Sequence, residues 1–129
     1  MKPAIVLNLG AAAILAGLFF ALLYAVPVRA AECVRASWYG KESCVNPKNC
    51  RTANGERYTG NDLTAAMPSR KYLGRHYRVT HGGKSVDVRI NDVGPAKWTG
   101  RGIDLSKAAA KRLGMIDKGV GSVCLTRLR

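Results

Sequence analysis

Tyr77-Arg78-Val79-Thr80-His81-Gly82-Gly83-Lys84-Ser85-Val86-Asp87-Val88-Arg89-Ile90 is the stretch whose reading decides the fold. Two runs rich in β-branched residues flank a Gly-Gly pair. Paired glycines accept the positive φ angles of a tight hairpin turn, and period-two alternation marks strands with one buried face. Val86, Val88 and Ile90 form the expected inward set. His81 falls at the turn and is expected to be solvated. Asn91-Asp92-Val93-Gly94-Pro95 follows at once. A strand that runs into Gly-Pro stops there, which leaves Asp92 at the mouth of whatever the strands enclose.

Outward from the hairpin, the chain reads as more short strands. Cys33 to Tyr39 alternates and carries Val, Trp and Tyr; Leu63 to Met67 is apolar and ends at Pro68; Val120 to Leu128 is a last strand. Gly40 to Asp62 is a long loop rich in Gly, Asn, Pro and charge, and such loops in compact domains usually carry function. Ser106 to Leu113 is the one good helix. Ser106 caps it, three alanines favour it, and Gly114 suits its end. Many short strands with one helix in about a hundred residues point to a mainly β domain, a small barrel.

The 129 residues leave room for one such domain, residues 31–129, because the first thirty have a different character. Lys2 precedes a run from Ala4 to Val26 that is apolar but for Asn8 and two glycines, and Val28-Arg29-Ala30 places small residues at a cleavage site after Ala30. Residues 1–30 therefore read as a signal peptide, with an uncleaved N-terminal membrane anchor as the other reading. Either way the expected location is the periplasm or cell envelope of a bacterium. Cleavage removes Lys2 and Arg29 and no acid, lowering the formal charge from +13 to +11. Such a domain seeks anionic partners, and export argues against nucleic acid.

The four cysteines all follow residue 30. An even count in a small exported domain reads as two disulfides. Cys44 and Cys50 bracket a short loop and are expected to pair, which leaves Cys33 with Cys124 to tie the ends together. Zinc fits the spacing poorly, and neither His76 nor His81 lies near a cysteine pair. No metal or cofactor is expected.

Four segments, in this order, carry a resemblance: Ala36-Ser37-Trp38-Tyr39-Gly40; Arg51-Thr52-Ala53-Asn54-Gly55-Glu56-Arg57-Tyr58 with Leu63-Thr64-Ala65-Ala66; Val88-Arg89-Ile90-Asn91-Asp92-Val93-Gly94-Pro95; and Arg101-Gly102-Ile103-Asp104-Leu105-Ser106. Together they resemble the rare lipoprotein A (RlpA-like) family of septal-ring lytic transglycosylases. The resemblance implies a six-stranded double-psi β-barrel with one or two short helices. It implies cleavage of peptidoglycan glycan strands, preferably strands stripped of stem peptides; the alternative is a non-catalytic, expansin-like wall-binding protein. A monomer is expected. The sequence departs from the family at Met67, where the family has a histidine of its active-site cleft, and at Val93, where it has arginine.

Lytic cleavage of a β-1,4 glycosidic bond needs a carboxyl group to protonate the leaving oxygen, and donors that hold the sugar. The muramic acid 6-hydroxyl then closes a 1,6-anhydro ring in place of water. Asp92 is the first candidate and Glu56, presented by the Asn54-Gly55 turn, the second. Tyr39, Asn54, Asn91, Trp98, Arg101, Asp104 and the Met67 position are the candidate sugar-binding residues. Tyr39 and Trp98 are expected as stacking platforms. Asp104 reads equally well as a helix cap or a salt-bridge partner of Arg101.

Overall fold

The computed structural model describes residues 30–129, so the expected signal or anchor segment lies outside it apart from Ala30. Six strands are present: β1 (Glu32–Tyr39), β2 (Thr64–Met67), β3 (His76–His81), β4 (Lys84–Val93), β5 (Ile103–Ser106) and β6 (Val120–Arg127). They close into a barrel in the order β1-β5-β2-β4-β3-β6. Two neighbouring pairs, β1 with β5 and β2 with β4, run parallel; the other four are antiparallel. Closure leaves no long strand edge unpaired, which is how a small β domain avoids edge-to-edge association.

The hairpin forms as its sequence requires. Gly82 and Gly83 take φ of +54° and +78° between β3 and β4, and Val86, Val88 and Ile90 are buried. Outside, Arg78 and Asp87 pair across the strands through two hydrogen bonds of 2.8 and 3.0 Å. His81 is not the free turn residue expected: it ends β3, and its Nδ1 lies 2.7 Å from the Ser122 carbonyl of β6.

β5 is the strand that periodicity did not reveal. Its four residues are too few to show alternation, and its neighbours β1 and β2 are both distant in sequence. Gly102 lets it approach β1, since a Cβ there would stand 2.7 Å from that of Val34. Ser106 ends β5 and caps helix α1 (Lys107–Arg112): its Oγ accepts from Ala109 N and donates to Asp62 O.

Among the described residues the core cluster runs from Ala36 to Leu125. Ile90, Ile103, Leu105, Leu113 and Met115 are fully enclosed, each contributing ~2 kcal/mol by leaving water. Both disulfides pair as the spacing suggested. Cys33 and Cys124 face each other across β1 and β6, and Cys44–Cys50 staples the long loop.

Candidate active site

Two cavities meet at Asp92. One, of about 310 Å³, is bordered by Trp38, Ala66, Gly94, Arg101 and Asp104. The other, of about 460 Å³, runs under the stapled loop past Cys44, Asn46, Asn49 and Arg51. Tyr39, Ser43 and Asp92 line both, so the two adjoin as one cleft at these three residues.

The last turn of β4 puts Asp92 there. A register shift between Ala65 and Ala66 lets β4 advance one residue, so that Asp92 sits opposite Ala66. Asp92 Oδ1 accepts from the backbone N–H of Ala53 and of Val93, both at 2.9 Å. Among the described residues Oδ2 accepts only from the Tyr39 hydroxyl, at 3.2 Å. One oxygen is thus anchored by two amides, and the other keeps one longer contact. The Tyr39 ring stacks on Tyr58 at 4.6 Å. Burial, then the neighbouring Asp92 carboxylate, hold its phenol far above the usual value, so the hydroxyl remains a donor.

Ala53 is held by the turn it belongs to. Gly55 N donates to Thr52 O, and Asn54 Oδ1 accepts from Thr52 Oγ1 and Glu56 N. The turn is tied to the barrel wall by Glu56. Its carboxylate takes a two-pronged bond from Arg89 of β4, at 2.5 and 2.8 Å, and further bonds from Asn54 (2.7 Å) and Asn91 (3.2 Å). The Arg89 fork, more than any other contact, holds the Glu56 carboxyl down at about 2. This group carries charge, not a proton, near neutrality.

Ser37 joins the remaining polar pair. It donates to Asp104 Oδ1 at 2.6 Å and accepts from Arg101 Nη1. Among the described residues Arg101 and Asp104 form no direct ion pair, and Asp104 caps nothing: it lies in β5, opposite Ser37 and Ala66.

Of the expected site residues, Asp92, Tyr39, Arg101 and Asp104 line the cleft, while Glu56, Asn54 and Asn91 form the network behind it. Trp38, whose indole N–H donates to Ile116 O, also borders the cleft, although alternation had suggested only one of the two aromatics would. Two of the expected residues stand apart from the cleft. Trp98 is 88% exposed and borders neither cavity at Asp92. Met67 is buried in the core cluster, because alternation along β2 turns Ala66 to the cleft and Met67 away from it. Arg89 and Ser37 were missed as site residues. Arg89 looked like an ordinary outward position on a strand, between the inward Val88 and Ile90.

A family model described as lytic transglycolase matches residues 31–125, most of the chain. The chain belongs to this family. RlpA of Synechocystis sp. is 48% identical over 92 residues, covering 70% of this chain and 27% of that protein. The endolytic peptidoglycan transglycosylase RlpA of Neisseria meningitidis is 42% identical over 98 residues, covering 72% of this chain and 37% of the relative. That of Pseudomonas aeruginosa is 46% identical over 93 residues, 68% of this chain and 25% of the relative. This chain thus spans a quarter to little over a third of the length of these relatives. Among solved structures, the Streptomyces papain inhibitor superposes with a TM-score of 0.62 at 20% identity, over 81% of this chain and 99% of the inhibitor. An expansin of Clavibacter michiganensis superposes with a TM-score of 0.58 at 19% identity, over 78% of this chain and 51% of the expansin. These likenesses establish the double-psi barrel for this lytic transglycolase domain.

Proposed function

We propose that this domain is an exported bacterial enzyme that cleaves peptidoglycan glycan strands by lytic transglycosylation. Membership in the lytic transglycolase family supports the reaction class. The observation that carries the reading is the placement of Asp92: where the two lobes of the cleft adjoin, one oxygen anchored by two amides, the other turned to a tyrosine hydroxyl.

In the proposed step, Asp92 Oδ2 delivers a proton to the glycosidic oxygen as its bond to the muramic acid anomeric carbon breaks. The 6-hydroxyl of the same sugar attacks that carbon, and Asp92 recovers a proton from it. The proton count closes, and no water enters. Tyr39 holds Oδ2 in line, while Arg101, Asp104 and Ser37 offer donors and acceptors to the sugar hydroxyls. Glu56 holds the turn that anchors Asp92, and transfers no proton.

Mass spectrometry of stripped glycan strands incubated with the protein tests this. Strands ending in 1,6-anhydro-muramic acid support it. Reducing ends would mean hydrolysis instead. No cleavage, with binding intact, would favour the expansin-like wall-binding reading.

A further inference from the structure

A third cavity, of about 390 Å³, opens elsewhere on the barrel and shares no lining residue with the Asp92 cleft. Val34, Met67, Tyr72, Tyr77 and Leu125 give it an apolar lining. Lys71, Lys97 and Arg127, all exposed, stand around it with a single acid, Glu32. An apolar hollow with net positive charge at its margin suits an amphiphile with an anionic head.

Two more observations say which amphiphile. Trp98, next to Lys97, is 88% exposed, and Leu128, next to Arg127, is 43% exposed. Aromatic and aliphatic side chains interleaved with long basic ones suit a membrane–water boundary: the indole sits at headgroup level, the aliphatic chain enters the acyl region, and the amines reach phosphates. Ala30 also lines this cavity, and only Pro27-Val28-Arg29 separates it from the apolar run that ends at Val26. Four residue steps reach at most ~14 Å. In the reading in which residues 1–30 stay attached as an anchor, the cavity stands within reach of the headgroups.

We infer that this cavity and its basic margin form a binding site for anionic phospholipid, with an acyl chain against Met67 and Tyr77 and the phosphate among Lys71, Lys97 and Arg127. The Asp92 cleft, lined by other residues, stays open to a glycan strand while the domain rests on the membrane. The inference does not depend on the reaction proposed for that cleft.

The test uses residues 31–129, which hold the six strands of the closed barrel and both disulfides, with vesicles of phosphatidylglycerol or phosphatidylcholine. Binding is expected to phosphatidylglycerol only, with a blue shift of the Trp98 emission that is absent in W98F. The triple variant K71Q/K97Q/R127Q should bind at least ~10-fold more weakly. The variant K48Q/K111Q/K118Q, with the same net charge, should stay within about twofold of wild type. Equal losses in the two variants would mean diffuse attraction to a basic surface, and would overturn the site. In solution, dihexanoyl phosphatidylglycerol should shift the amide resonances of Met67 and Tyr77, and glycerol phosphate should not. Equal shifts from both would remove the acyl chain from the cavity and overturn the phospholipid assignment.

Discussion

Replacing Arg89 with Met keeps the length of the side chain and removes the fork that ties Glu56 to β4. Two consequences follow from the geometry. The first is stability. Glu56 is held at about 2 against an ordinary value of 4.5, which at full conversion exceeds 3 kcal/mol. Both side chains of the pair are more than a third exposed, at 36% and 40%. Solvent screening therefore reduces the expected loss to about 1 kcal/mol. In a domain of this size that lowers Tm by about 4–8 °C. The sign with pH is set by the depressed value. A carboxyl group whose folded pKa is lowered contributes fully above its unfolded pKa, near 4.5, and the contribution fades as pH falls toward 2. Thermal melts of wild type and R89M should differ by the full amount at pH 6 to 7 and converge between pH 4.5 and 2. The second consequence is positional. Without the Arg89 fork the 52–56 turn is tied to β4 by the two longer Asn91 contacts, at 3.2 Å each, and the Ala53 N–H holds Asp92 Oδ1 less firmly. Turnover should fall ~10-fold while glycan binding changes little. A melting difference that persists unchanged to pH 2, or turnover equal to wild type, would refute the reasoning.

Other substitutions report on the remaining parts. Y39F removes the hydroxyl that donates to Asp92 Oδ2 and should lower turnover ~10-fold with stability nearly intact, measured by product release and melting together. M67H puts an imidazole into the buried core cluster; it should cost 1–3 kcal/mol in denaturant unfolding and not raise turnover, and a gain in turnover would show that position 67 serves the cleft. C33S/C124S opens a cross-link spanning 91 residues and should cost roughly 4 kcal/mol, read from urea midpoints without reductant. Stripped glycan, whose lactyl carboxylates are free, should bind more weakly as salt rises, because the chain carries a formal charge of +13; salt-independent binding would contradict this.

Much of the barrel was legible because its signals are local. Gly82-Gly83 marked the hairpin, the valines of β4 showed their buried face, Ser106 and Gly114 bounded α1, and the spacing of the four cysteines gave a pairing by loop length. β5 was not legible, since Ile103–Ser106 makes its bonds to β1 and β2 and has no local turn or period to announce it. The site divides in the same way. Asp92 stood out at the end of a strand before Gly-Pro. Arg89 did not, because its partner Glu56 lies 33 residues earlier and meets it only once the barrel closes. Ser37 likewise separates Arg101 from Asp104 only after β1 and β5 pair. Met67 was assigned to the cleft through a resemblance in one dimension; the alternation of β2 turned it the other way.

The central claim is that Asp92 moves the proton in glycan cleavage. D92N keeps the shape and can still hydrogen-bond, but it cannot deliver a proton. The measurement is the amount of 1,6-anhydro-muramic acid ends released from stripped glycan by wild type and by D92N, with binding measured in parallel. The account predicts release from wild type, a loss of ~10²-fold or more in D92N, and binding retained in both. Wild-type release from D92N would contradict it.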